Sequence, residues 1–229
     1  MLCTHILSEG ILHAQYVSML LELSKGLLVS ILIFIFTLLF ALPLGLVIAL
    51  GRMSKSAILN LPAKILISIL RGTPLMLQLM VVYFGPYYIF GIPLAQNYRF
   101  IAVIIAFSIN YAAYLAEIYR AGIESIPVGQ YEAAHVLGYS KCQTFFKIIM
   151  PQVIKRILPP VTNEVITLVK DTSLSSTLAV LEMFTIAKQM ASAKTTMMPL
   201  IAAGVFYYVF NFIVAFIMER IERELNYYR

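Results

Sequence analysis

Charge is scarce in this sequence: 12% of its 229 residues are Asp, Glu, Lys or Arg, while 61% are hydrophobic. A soluble domain carries roughly one quarter charged residues. A domain of this size folded in water still shows a large surface to the solvent, so the composition excludes an ordinary soluble fold and points to lipid. Cysteine is nearly absent. Cys3 and Cys142 fall near opposite membrane faces in the topology below, and no disulfide between them is expected. The sequence contains no G-x-x-x-x-G-K-[ST], so ATP chemistry must reside in a partner. His5, His13 and His135 are scattered, with no HExxH or Cys/His cluster, and no metal or other cofactor is expected in this chain. Segments such as residues 27–36 lack the polar–apolar alternation of a membrane barrel. A cleaved signal is also not expected, because Glu9 and Glu22 lie where a basic region would be needed.

Uncharged runs are plentiful. They cover residues 26–51, 72–98 and 195–218, with a shorter one at 100–116. A bilayer core of roughly 30 Å needs about 20 helical residues. The expected fold is an all-α integral membrane protein with five transmembrane helices, near residues 26–50, 65–88, 99–119, 157–181 and 197–218. The fourth is interrupted by Glu164, Lys170 and Asp171. Residues 1–25 form an N-terminal segment, and 26–229 a membrane domain with one large polar loop at 126–151.

The distribution of the +6 net charge sets the orientation. Arg52, Lys55, Lys64, Arg120, Lys141, Lys147, Lys155, Arg156, Arg220, Arg223 and Arg229 fall on one side. Only Lys25, Arg99, Lys188 and Lys194 fall on the other. The positive-inside rule puts the large loop and the C-terminus in the cytoplasm and the N-terminus outside. A few basic residues per loop make no basic groove or stacking platform, so nucleic acid is not an expected partner.

The large loop carries the most specific pattern. Pro127 suits a helix start, residues 130–137 are good helix formers, and Gly138 ends or bends the helix. Ala133, Ala134 and Leu137 share a face that permits close approach of another surface; a plain interfacial loop helix is the alternative. Glu132, Ala133, Ala134, Gly138, Ile148 and Pro151 match EAA-x3-G-x9-I-x-LP in register, with Met150 in place of Leu. This segment resembles the EAA signature of membrane subunits of bacterial ABC importers. Residues 68–75, with Arg71-Gly72-Thr73-Pro74, residues 116–130, Asn163-Glu164 and residues 170–174 resemble the polar amino-acid branch of those permeases. The similarity runs from about residue 27 to the C-terminus.

The resemblance implies a type I importer permease fold in the bacterial inner membrane. Two permease subunits, identical or related, form the path. A cytoplasmic coupling helix, here Glu132 to Gly138, docks on a nucleotide-binding subunit that holds ATP and magnesium. An extracytoplasmic binding protein delivers a polar amino acid, with arginine and histidine as candidates. This chain is then a non-catalytic transport subunit. A stand-alone ion-driven carrier or channel is the competing class, and it leaves the EAA-like loop without a purpose.

The pathway candidates are Arg71, Asn110, Glu164, Lys170 and Asp171. An ionisable group in a span usually faces protein or a wet cavity. Glu164 has no basic residue three or four positions away, so its partner is substrate, water or another helix. Lys170 and Asp171 point about 100° apart on a helix and mark a break used for binding or gating, or else an inter-subunit ion pair. Arg71 is an anchor, or it holds a bend beside Gly72 and Pro74. Asn110 and Gln78 satisfy neighbouring helices or line the path. Glu117, Arg120 and Glu124, and the pairs Glu219–Arg223 and Arg220–Glu224, have helical pairing distances and read as structural.

Overall fold

The computed structural model describes residues 2–95 and 97–225, with side chains from residue 15 onward. The side chains of Cys3, His5, Glu9 and His13, and all of Arg229, lie outside the described residues. Helix α1 spans Leu2–Met53, α2 Ala57–Gly72, α3 Leu75–Phe90 and α4 Tyr98–Glu124. Short α5 (Val128–Val136) and α6 (Lys141–Gln143) lead through a π-turn, Thr144–Ile149, into α7 (Met150–Asp171). A 3-10 segment, Thr172–Leu178, precedes α8 (Met183–Lys194) and α9 (Met198–Leu225). The described residues are all-α.

Helix α4 is the centre of the bundle. Its buried face runs through Ala102, Ala106, Phe107, Asn110, Tyr111, Ala112, Ala113, Leu115 and Ala116, and α1, α2, α3 and α7 all pack on it. Lipid tails are as apolar as leucine, so helices in a membrane associate mainly through close van der Waals packing at small residues. The alanines of α4 supply that face, and Gly45 of α1 completes it. A Cβ added at Gly45 would lie 2.9 Å from the Leu115 Cβ and 3.1 Å from the Ala112 carbonyl oxygen. On α9 most large apolar side chains, including Ile201, Phe212 and Phe216, face outward, as lipid-exposed positions do.

The count of five transmembrane helices is not what the structure contains. Among the described residues three helices are long and apolar enough to cross: Gln15–Met53, Tyr98–Glu124 and Met198–Leu225. A fourth crossing exists only if Ala57–Gly72 and Leu75–Phe90, bent by 113°, are taken as one broken span. The physical reasons are local. Proline forces its predecessor into extended backbone, and Thr73 before Pro74 has φ −120° and ψ 146°. The expected second span therefore splits into two helices of 16 residues each, about 24 Å apiece at 1.5 Å per residue. The expected fourth span is α7, in which every 18-residue stretch holds at least three of Lys155, Arg156, Glu164, Lys170 and Asp171. Helix α7 is amphipathic, burying Val153, Val161, Val165, Leu168 and Val169 and turning its charges elsewhere.

Candidate functional site

On α7, Glu164, Thr167 and Asp171 recur at three- and four-residue spacing and so occupy one face. On α4, Asn110, Tyr111 and Tyr114 do the same. These two faces and the α2–α3 break, through Thr73 and Leu75, enclose a polar cavity of about 230 Å³. A larger cavity of about 520 Å³ adjoins it, sharing Tyr114 and Glu164 and lined also by Arg71, Glu117, Arg120 and Arg156. Glu164 thus stands where the two meet.

Each polar wall residue is held differently. The Tyr111 hydroxyl donates to Asp171 Oδ2 at 2.8 Å, leaving the other carboxylate oxygen without that bond. Asn110 Nδ2 donates to Gln78 Oε1 at 3.0 Å and to the Leu70 carbonyl at 3.3 Å. The Arg71 guanidinium carbon lies 5.2 Å from the Tyr114 ring centroid, a cation–π contact between two residues that line the larger cavity. Glu164 makes no hydrogen bond and no ion pair within 4.0 Å among the described residues. It is a half-buried carboxylate aimed into polar space. Lys170 is exposed on another face of α7. The structure therefore brings Asn110, Glu164 and Asp171 to one cavity and Arg71 to its neighbour, and leaves Lys170 apart from both. Directly after Lys170 and Asp171 the α-helix gives way to the 3-10 segment, where the Thr172, Ser173 and Ser175 hydroxyls donate to carbonyls three residues earlier.

At one end of the bundle the charged pairs form as their spacing predicts. Glu117 meets Arg120 at 2.6 Å and Arg52 of α1 at 3.7 Å, and Arg120 also pairs with Glu124. Arg220–Glu224 and Glu219–Arg223 pair along α9. The loop beyond α4 is a built element. Pro127 caps the start of α5, and Leu137 caps its end. Gly138 takes φ 79°, a left-handed conformation that costs glycine little. The Gly138 and Tyr139 amides then donate to the His135 and Ala134 carbonyls, each at 3.0 Å, closing a Schellman end. Ser140 and Gln143 form a reciprocal capping box at α6. The shared face expected of Ala133 and Ala134 divides. Ala134 is 1% exposed and packs inward, whereas Glu132, Ala133 and Gly138 are exposed, as are Val136 and Leu137 at 85% and 73%.

Glu182 is the residue that sequence reasoning passed over. It is fully buried and caps α8, accepting from the Phe184 amide at 2.6 Å and from the Thr185 amide and hydroxyl, each at 2.7 Å. The Tyr207 hydroxyl of α9 donates to it at 3.0 Å, and the Ser30 hydroxyl of α1 lies at 3.5 Å. Glutamate is not a favoured N-cap, so the sequence signal is only a lone acid ahead of a helix with Thr185 three residues on. The Tyr111–Asp171 bond joins residues 60 apart and has no local signal. Among the described residues no group of three His, Cys, Asp or Glu is placed to hold a metal ion.

The chain as a whole is similar to known proteins. Residues 41–227 match the family described as binding-protein-dependent transport system inner membrane component. The chain belongs to that family. This permease is 38% identical over 203 residues to the arginine transport system permease protein ArtQ of Bacillus subtilis, covering 88% of this chain and 91% of that one. It is 36% identical over 208 residues to the L-cystine transport system permease protein TcyB of the same organism, covering 90% and 87%. A solved amino acid ABC transporter with histidines superposes with a TM-score of 0.83 at 31% identity, over 92% of this chain and 97% of that one. The chain is an ABC-transporter permease of the polar amino-acid family, a membrane transport component.

Proposed function

We propose that this permease forms half of the translocation path of an ATP-driven importer for a polar amino acid with a cationic side chain, arginine or histidine. The observation that carries the reading is the pair of joined cavities. Glu164 and Asp171 line the smaller one, and Arg71 lines the larger one together with Glu164. An amino acid offers one carboxylate to a guanidinium and one ammonium to a carboxylate. A second carboxylate is left for a positive side chain. At about 230 Å³ the smaller cavity is below the roughly 300–1,000 Å³ of pockets for drug-sized ligands, which suits a small metabolite.

In this account a second permease subunit, identical or related, supplies the other half of the path. A binding protein delivers substrate at the outer face. On the cytoplasmic side α5 docks on a nucleotide-binding subunit that holds ATP and magnesium. Glu132, Ala133, Leu137 and Gly138 form the contact surface, and Ala134 ties α5 to its own subunit. Closure of the ATPases moves the two α5 helices together, and the rigid α4–α7 core carries that motion to the cavity. The basic residues Arg52, Arg120 and Arg156, gathered at the α4–α5 end of the bundle, support a cytoplasmic position for α5.

Transport by the assembled importer tests the charge reading. Glu164→Gln and Asp171→Asn should each raise the KM for L-arginine about tenfold or more, the loss of one charge-assisted bond. The KM for L-glutamine, if carried, should change far less. Equal effects on both substrates would refute the cationic assignment.

A further inference from the structure

The bend between α2 and α3 is closed by one side chain, Gln78. Its amide nitrogen donates to the Leu70 carbonyl at 2.8 Å, to the Thr73 carbonyl at 3.1 Å and to the Thr73 hydroxyl at 2.9 Å. Leu70 and Thr73 lie at the end of α2, where helix carbonyls lose their intrahelical partners. Pro74 has no amide hydrogen to offer them. Gln78 lies one turn into α3, so its nitrogen returns to the helix that precedes the break. Its oxygen accepts from Asn110 of α4, and Asn110 also donates to Leu70. A single amide therefore fastens α2, α3 and α4 at one point.

Thr73 and Asn110 are also walls of the cavity that holds Glu164 and Asp171. Any occupant that bonds to either one competes with the lock. Conversely, any change of the bend moves two of the cavity's polar walls.

We propose that Gln78 is a positioning residue: it sets the α2–α3 bend and, through Asn110 and Thr73, links that bend to occupation of the cavity. The proposal rests on the transport reading above for its consequence, but the bend can be measured without it. Loss of the donor group leaves the partly buried Leu70 carbonyl short of a partner and frees Thr73 toward the cavity, so the open arrangement becomes competitive. Each amide bond removed should shift the ratio of bent to opened connection about fivefold.

The test uses the full permease assembled with its partners in lipid discs. Native Cys3 and Cys142 are replaced by serine, and spin labels are placed at Ile58→Cys and Tyr88→Cys, positions exposed on α2 and α3. Pulsed electron spin resonance reads the distance across the bend. Gln78→Met, close in size and apolar, should turn one narrow distance into a broad or two-peaked distribution. It should also lower the L-arginine taken up per ATP hydrolysed about fivefold. A wild-type distance distribution in Gln78→Met would overturn the proposal. Gln78→Glu keeps the oxygen that accepts from Asn110 and, ionised, turns an acceptor in place of the donor toward the Leu70 and Thr73 carbonyls, so it should broaden the same distances should Gln78→Met fail to assemble. If the distances broaden while no amino acid is carried by the unmodified complex, the bend lock stands and the transport reading falls.

Discussion

Replacing Glu182 by leucine should destabilise the bundle more than any other single change at a polar residue remote from the cavity. The substitution puts an apolar side chain in place of the carboxylate and removes the acceptor for the Phe184 amide, the Thr185 amide and hydroxyl, and the Tyr207 hydroxyl. Loss of the helix cap alone costs about 1 kcal/mol, and each buried donor left without a partner costs about 1–3 kcal/mol. Removing a buried carboxylate also relieves its desolvation, which holds the expected total near 3 kcal/mol. For a chain of this length each kcal/mol lowers Tm by roughly 2–4 °C, so the expected fall is roughly 6–12 °C. Size-exclusion recovery of the detergent-solubilised protein after stepwise heating measures it. Glu182→Gln retains one acceptor and should fall about half as far. Tyr207→Phe removes only one of the donors to Glu182 and should fall roughly 2–4 °C. A Glu182→Leu protein within about 2 °C of the parent, or one less affected than Tyr207→Phe, would refute the reasoning.

Ala133→Phe and Ala134→Phe separate docking from folding. The first should leave Tm unchanged and weaken co-purification of the nucleotide-binding subunit. The second should overpack a buried site by about 1–3 kcal/mol and lower Tm, and the opposite ranking would contradict the observed burial. Gly138→Ala should cost roughly 1 kcal/mol through its left-handed backbone, seen as a lower Tm by about 2–4 °C. Gly45→Val should cost at least as much as Ala134→Phe, since its first added carbon already meets Leu115 at 2.9 Å; recovery of folded protein from membranes measures this.

Local chemistry made part of this molecule legible in its sequence. Pro127 and Gly138 bound a helix because one pre-sets backbone φ and the other tolerates a left-handed turn, and both act within a few residues of themselves. The charge pairs at Glu117–Arg120 and on α9 were legible for the same reason. Hydropathy found α1, α4 and α9, whose apolar stretches are long and uninterrupted. It miscounted where charge and backbone geometry compete with apolarity. Pro74 breaks one apolar run into two helices, and the five charges of α7 remove it from the set of apolar crossings. Asn110, Glu164 and Asp171 could be picked out as costly polar groups in apolar surroundings. Their convergence on one cavity depends on the α4–α7 packing, and the Tyr111, Gln78 and Glu182 contacts depend on residues that no local spacing connects.

The central claim, that this permease forms half of the path of an ATP-driven amino-acid importer, is tested most directly by uptake into proteoliposomes. The vesicles hold the permease with its nucleotide-binding subunit and, where the pair is mixed, its related permease; the binding protein is added outside, and each radiolabelled amino acid is offered with and without internal ATP. The account predicts accumulation of a polar amino acid, arginine or histidine foremost, only when ATP, ATPase and binding protein are all present. Accumulation by the permease alone under an ion gradient, or none of any amino acid in the complete system, would contradict it.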